Sequence, residues 1–213
     1  MINVTLVAYT QWNPEVWRDI HSPEHIMATG KRICQSGQGL VDIINETDKI
    51  DVRNKATLKS GHMGVLEHVS FTFLIEGGSR VMTHQLVRHR MASYLQMSQR
   101  AVPMSEVELI VPPTIPSDIR LEMYAAMLDC YTLYEKMRHL GIPMGDARYI
   151  MPHGMETRVW MTINARSLMH FFKERLINPG AQWEIKAVAT QMHDLVNKVC
   201  PTIFDLKYQE HWE

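Results

Sequence analysis

With 213 residues, 46% of them hydrophobic and 21% charged, the chain is long enough to bury a sizeable core and too apolar to stay disordered. A formal net charge of −1 leaves no global field to draw it to nucleic acid or to an anionic membrane, so any anion must be held by a local group of Arg and Lys. Cys34, Cys130 and Cys200 lack CxxC spacing, the N-terminus lacks the basic flank of a signal peptide, and no apolar run approaches the ~20 residues of a membrane span, all of which points to a reducing, cytoplasmic setting without a metal site.

No repeat, low-complexity tract or Gly/Ser linker divides the sequence, so residues 1–213 read as a single domain. Residues 2–8 read as a strand in which Ile2, Val4 and Leu6 alternate with polar residues. From about 23 to 60 the pattern is helical in short pieces, interrupted near Gly37 and Gly39; this Gly-Gln-Gly has Asp42 in place of a third glycine and follows helix rather than strand, so it is not a dinucleotide fingerprint. Residues 67–76 form a strand with Val69, Phe71, Phe73 and Ile75 on one buried side. Gly77-Gly78-Ser79 is expected to end that strand, with Ser79 capping a helix that runs to about residue 91.

The stretch 118–140 carries apolar residues at spacings of three and four: Ile119, Met123, Ala126, Cys130, Leu133, Met137 and Leu140. Gly141 and Pro143 stop this helix, and core is a better reading of its stripe than subunit interface. Residues 155–163 read as a strand, 164–176 as a helix capped by Asn164, and 181–199 as a last helix striped by Ile185, Val188, Met192, Leu195 and Val199. Sixteen methionines spread over these segments read as adaptable core filler. Helices and strands do not alternate in βαβ rhythm, so the fold class is α+β, with mixed helices around a small, mostly antiparallel sheet.

Charge is concentrated in Arg88-His89-Arg90-Met91-Ala92-Ser93-Tyr94-Leu95-Gln96-Met97-Ser98-Gln99-Arg100, which contains three arginines and no carboxylate. The bland reading is a solvated basic helix end; the sharper one is a patch of anion donors. If the helix continues through residue 90, Gln85, Arg88 and His89 share a face. In the helix after Asn164, Arg175 continues the stripe of Leu168, Phe171 and Phe172, where a guanidinium requires a partner. Arg166 sits in the first turn, where the helix dipole disfavours a cation unless an anion binds there, although a carboxylate partner would explain either arginine. Arg148 follows the turn at 141–143 in a segment short enough for a single helical turn, with Asp146 as its default partner.

Together these residues resemble the flavin-dependent thymidylate synthase family. Its signature (Arg-His-Arg, two residues, Ser, four residues, Ser, one residue, Arg) is matched from Arg88 to Arg100. The resemblance extends through Gly61-His62, Glu67-His68, Ala147-Arg148, Asn164-Ala165-Arg166-Ser167-Leu168, Arg175 and Ala181-Gln182-Trp183-Glu184, and it covers most of residues 60 to 205. It implies an α+β homotetramer with sites built from several subunits. FAD would be held by Arg88, His89, Arg90, Asn164 and Arg166, with His170 and His62 at its faces and His62 also near the folate. A uracil nucleotide would be bound by Gln85, Arg88, Arg90, Ser98, Gln99, Arg100, Arg148 and Arg175. Arg175 and Ser98 would stand at the reacting nucleotide, Ser98 as a contact and not a nucleophile.

The reaction so implied moves a one-carbon group from methylenetetrahydrofolate to C5 of dUMP, with FADH2 as reductant and NADPH as electron source. UMP as substrate and a hydroxymethyl product are its variants. The chain departs from the family's usual pattern at Gly64, Leu95-Gln96, Pro179-Gly180 and His170, and Cys34 stands where a serine is common. The competing class is a non-catalytic nucleotide- or RNA-binding module, disfavoured by the net charge and by the absence of interleaved aromatic and basic residues. His21 and His25 are four apart, but Pro23 separates them, and two isolated ligands make a poor metal site.

Overall fold

The computed structural model describes residues 1–15, 17, 22–103 and 107–212; His21 lies outside them. Four strands, β1 (Asn3–Tyr9), β2 (Ser70–Ser79), β3 (Ala92–Gln96) and β4 (Glu156–Asn164), form one antiparallel sheet in the order β1-β2-β4-β3. Alternation along β2 sends Phe71, Phe73 and Ile75 into the core, each with no exposed surface. Burying each contributes about 1.5–3 kcal/mol. Val159, Met161 and Ile163 of β4 join them from the neighbouring strand.

The helices are α1 (Pro23–Ile33), α2 (Leu40–Ile44), α3 (Ile50–Ser60), α4 (Arg80–Leu86), α5 (Ser117–His139), α6 (Met144–Ala147), α7 (Ala165–Phe172) and α8 (Trp183–Val199). α1, α4, α7 and α8 contribute to the core that covers the apolar face of the sheet. Leu168, Phe171 and Phe172 of α7 and Ile185, Val188 and Met192 of α8 are fully buried there. Nine methionines are buried among the described residues, in keeping with their reading as filler.

Three expectations are corrected. β2 does not end at the double glycine: it continues to Ser79 through an irregularity between Ile75 and Gly78, where Gly77 takes φ +72° and its α-carbon faces the Met1 carbonyl too closely for a side chain. Ser79 then caps α4, but α4 stops at Leu86 rather than near 91. The Tyr94 hydroxyl lies 2.9 Å from the Leu86 carbonyl and 2.7 Å from that of His89, sharing its proton between them and holding the chain in a turn. Residues 92–96 then pair with β4 as a strand absent from the sequence reading.

Finally, most of the α5 stripe is not core. Met127 and Tyr134 are the buried residues of α5, Tyr134 in a second cluster with Ala147, Met151 and Met155; of the expected stripe Met137 packs against that cluster, while Ile119, Leu133 and Leu140 are exposed. The true inward line of α5 includes two tyrosines, Tyr131 and Tyr134, which the apolar count passed over.

Candidate active site

Asn164 ends β4 and starts α7, and its side-chain oxygen accepts from the Ser167 N–H at 2.9 Å. Val69 accepts from the Ala165 N–H, so two of the first-turn donors expected to be free for an anion are already satisfied by the chain. Arg166 Nη1 lies 2.6 Å from Glu67 Oε1, both side chains about half exposed. The carboxylate partner weighed as the alternative is therefore present, and an open pair of this kind is worth only about 0–1 kcal/mol.

Past Phe172 the helix widens into a π turn over Lys173–Ile177, with the Asn178 N–H reaching back to the Lys173 carbonyl. Arg175 sits on this turn. Its Nε donates to His89 Nε2 at 3.0 Å and its Nη1 to Gln85 Oε1 at 3.3 Å. The expected shared helical face of Gln85, Arg88 and His89 does not exist, yet the turn after α4 still brings Gln85 and His89 to the same guanidinium. His89 must be the neutral tautomer protonated on Nδ1 to accept this bond. Burial, the Arg175 charge and His170 hold its pKa down at about 4. Its ring packs edge-on against Phe171, with centroids 4.8 Å apart.

Around this pair lies a cavity of about 650 Å³, within the range of small-molecule sites. Arg88, His89, Arg90, Asn164, Arg166, His170 and Arg175 line it, together with Glu67 and Glu174. Four arginines thus face two carboxylates, one of them already engaged with Arg166. The lining suits a phosphorylated, flat ligand: cationic groups for a diphosphate, and His89, His170, Met91 and Ile163 for apolar contact. The residues present therefore fit FAD. Among the described residues no group of three His, Cys, Asp or Glu could hold a metal ion; His25 instead meets the Ile44 carbonyl, and Cys200 is buried with its thiol pKa pushed up by desolvation and by Glu24.

The other expected residues lie elsewhere. Ser98, Gln99, Arg100 and Arg148 form a second basic group beside the start of α4. Arg148 Nε donates to the Gly145 carbonyl at 3.2 Å rather than pairing with Asp146, and Arg100 Nε lies over the same glycine. The Ser98 hydroxyl accepts from the Arg100 N–H at 3.2 Å, and Gln99 is buried. Sequence reasoning missed a member of this group. Arg80 Nη2 donates to the Met97 carbonyl at 3.0 Å, its Nε is buried without a partner, and burial together with the Arg148 charge lowers its pKa. The available signal was a cation at the first position of a helix, the same anomaly that drew attention to Arg166. His62 is exposed and lines a different cavity, with none of the residues above.

Residues 15–202 match the family model described as thymidylate synthase complementing protein. The flavin-dependent thymidylate synthase of Geobacter sulfurreducens is 41% identical over 188 residues, covering 85% of this chain and 81% of the relative. That of Sulfurisphaera tokodaii is 40% identical over 208 residues, covering 95% and 76%. Among solved structures, the UMP/dUMP methylase PolB from Streptomyces cacaoi, bound with 5-Br dUMP, superposes with a TM-score of 0.78 at 24% identity, covering 96% of this chain and 93% of that one, a likeness of fold. A family match over most of the chain, with relatives near 40% identity, agrees with the Arg88–Arg100 signature and the basic cavity beside it: the chain belongs to the flavin-dependent thymidylate synthase family.

Proposed function

We propose that the protein transfers a one-carbon group from methylenetetrahydrofolate to C5 of dUMP, with NADPH supplying electrons, at the cavity between the turn after α4 and the start of α7. The observation that carries this reading is Arg175, a guanidinium oriented by two neutral acceptors and, among the described residues, paired with no carboxylate. A cation so held keeps its charge for the ligand and can stabilise negative charge developing on the uracil ring. When bound, FAD supplies the redox chemistry. Arg88, Arg90 and Arg166 would hold its phosphates, Asn164 shapes the helix start beside them, and His89 and His170 line the cavity wall. Neutral His89 does a separate job: it fixes the direction of Arg175 without adding a second positive charge.

The nucleotide phosphate belongs to the second basic group, where Arg80, Arg100 and Arg148 stand without carboxylate partners among the described residues and Ser98 adds a hydroxyl. Within one chain this group and the cavity lie at opposite ends of α4. Sites shared between subunits of a homotetramer, as the family resemblance implies, would bring one protomer's phosphate group to another's cavity. Exposed Leu121, Tyr124 and Leu128, at spacings of three and four on α5, supply an apolar face for such an assembly.

The test is product mass spectrometry after mixing the protein with FAD, NADPH, methylenetetrahydrofolate and either dUMP or UMP. One added methyl group on dUMP is expected. A protein that binds flavin and dUMP yet leaves both nucleotides unchanged would refute the reading, and a hydroxymethyl product would redirect it to the other branch of the same chemistry.

A further inference from the structure

A second cavity, of about 500 Å³, opens between α1 and α3 and shares no lining residue with the first. Lys31, Arg32, Lys49, Arg53 and His62 line it, with Glu46 as the only carboxylate among the described residues. Glu46 serves three of these cations at once: it contacts Arg53 and lies 3.9 Å from Arg32 and 3.7 Å from Lys49. Lys31 has no share in it. Lys31 is only 9% exposed, and among the described residues it makes no hydrogen bond or ion pair. Its stem is buried against α1 and α3, while its ammonium nitrogen is not among the buried unpartnered donors and so opens on the cavity. Here it faces a cavity whose walls already carry an excess of positive charge, and its own pKa is lowered by desolvation.

Such an arrangement offers an incoming anion an unshared ammonium beside three further cations. One carboxylate against four cations leaves room for a group of two or more charges, and the enclosed volume suits part of a small molecule rather than a polymer. Of the residues lining this cavity, only His62 is one that the family resemblance places near the flavin and folate; its four cations belong to neither the flavin cavity nor the nucleotide phosphate group.

We infer that the cavity between α1 and α3 is a separate anion-binding site that takes the multiply charged tail, phosphate or clustered carboxylates, of a co-substrate. The site stands on its own geometry; the identity of the tail rests on the reaction proposed above. That reaction offers two sources of this chemistry, the 2′-phosphate of the nicotinamide dinucleotide and the glutamyl carboxylates of the folate.

The test begins with calorimetric titration of inorganic pyrophosphate into the FAD-treated full chain. Lys31→Met is expected to weaken binding about tenfold or more, Lys49→Met to weaken it less, and Arg158→Ala, an exposed cation of β4 paired with Glu76 outside both cavities, to leave it unchanged. Thermal melting of Lys31→Met controls for folding, and Lys49→Met carries the test if that variant fails to fold. Pyrophosphate binding that ignores both lysines, or that disappears with Arg158→Ala instead, overturns the inference.

Steady-state KM ratios then name the source. Lys31→Met should erase either the preference for NADPH over NADH or the preference for polyglutamyl over monoglutamyl folate, with flavin content unchanged. If neither ratio moves, the assignment to a co-substrate is overturned, while lysine-dependent pyrophosphate binding still defines an anion site. Failure of the proposed reaction looks different: the unsubstituted protein forms no product from dUMP or UMP, whatever pyrophosphate does.

Discussion

Protonation of His89 offers a quantitative test of the site's electrostatics. In the folded protein its ring is half-buried, accepts a hydrogen bond from Arg175 and packs against Phe171, and its pKa lies at about 4. In the unfolded chain it titrates near 6.5. Between those values the unfolded state binds a proton that the folded state refuses, so stability falls as pH drops from 6.5 towards 4 and is unaffected by this group above that window. A shift from 6.5 to about 4 corresponds to at most about 3 kcal/mol, and access of water to a partly exposed ring reduces this to about 2 kcal/mol. Urea denaturation of the unsubstituted protein and of His89→Gln should be compared at intervals from pH 7.5 to 4. Glutamine offers Arg175 an acceptor but does not titrate, so other ionisations cancel in the difference. The unsubstituted protein should lose about 2 kcal/mol more than the variant across the window. Parallel profiles, or a His89 resonance titrating near 6.5, would refute the claim that this ring is held neutral by its surroundings.

Arg166→Ala should weaken FAD binding, measured by flavin fluorescence, by about 1–2 kcal/mol. Glu67→Ala, which frees Arg166 from its carboxylate, should leave FAD binding unchanged or tighter; equal losses in the two variants would mean that the ion pair, rather than the arginine, matters. Arg80→Met should reduce dUMP affinity at least about tenfold while leaving the melting temperature unchanged or higher, because it removes a buried donor that the chain does not satisfy. Ser79→Ala should destabilise the protein by about 2 kcal/mol in urea denaturation, since the hydroxyl both caps the Met82 N–H at 3.1 Å and donates to Glu184 at 2.6 Å. A loss below about 0.5 kcal/mol would mean the cap is dispensable.

What the sequence revealed follows from how local each determinant is. Alternating Phe71, Phe73 and Ile75 need only the pleat of one strand to declare a buried face, and Asn164 needs only the next three residues to declare a cap. The end of α4 depends on Tyr94, a residue in a following strand whose hydroxyl reaches back to two carbonyls, and no helix-stop signal marks positions 87–91. Along α5 the inward side is set by what α6 and the chain near Met151 and Met155 present to it, and two of its contacts are tyrosines that an apolar period does not count. The candidate residues were found by charge anomaly and by signature, both one-dimensional. Their division into a cavity group and a group around Arg80 and Arg148 comes from the course of the chain between them.

The arginines also differ in the partners that hold them, and this decides how much of each charge is left for a ligand. Arg53 and Arg32 are tied to Glu46, and Arg166 to Glu67. A carboxylate both positions a guanidinium and cancels its charge, so an incoming phosphate must first displace it. Arg80, Arg88, Arg148 and Arg175 are held by a carbonyl of Met97, a carbonyl of His84, a carbonyl of Gly145, and the pair His89 and Gln85. Neutral acceptors fix direction through one or two N–H groups and leave the remaining donors and the full charge facing outward. Positioning thereby becomes independent of neutralisation, and a chain of net charge −1 can still build a strongly cationic site. On this reasoning Arg166 contributes less to ligand binding than Arg175 or Arg80, even though its charge is the same, because part of its interaction with the anion is offset by the carboxylate it gives up.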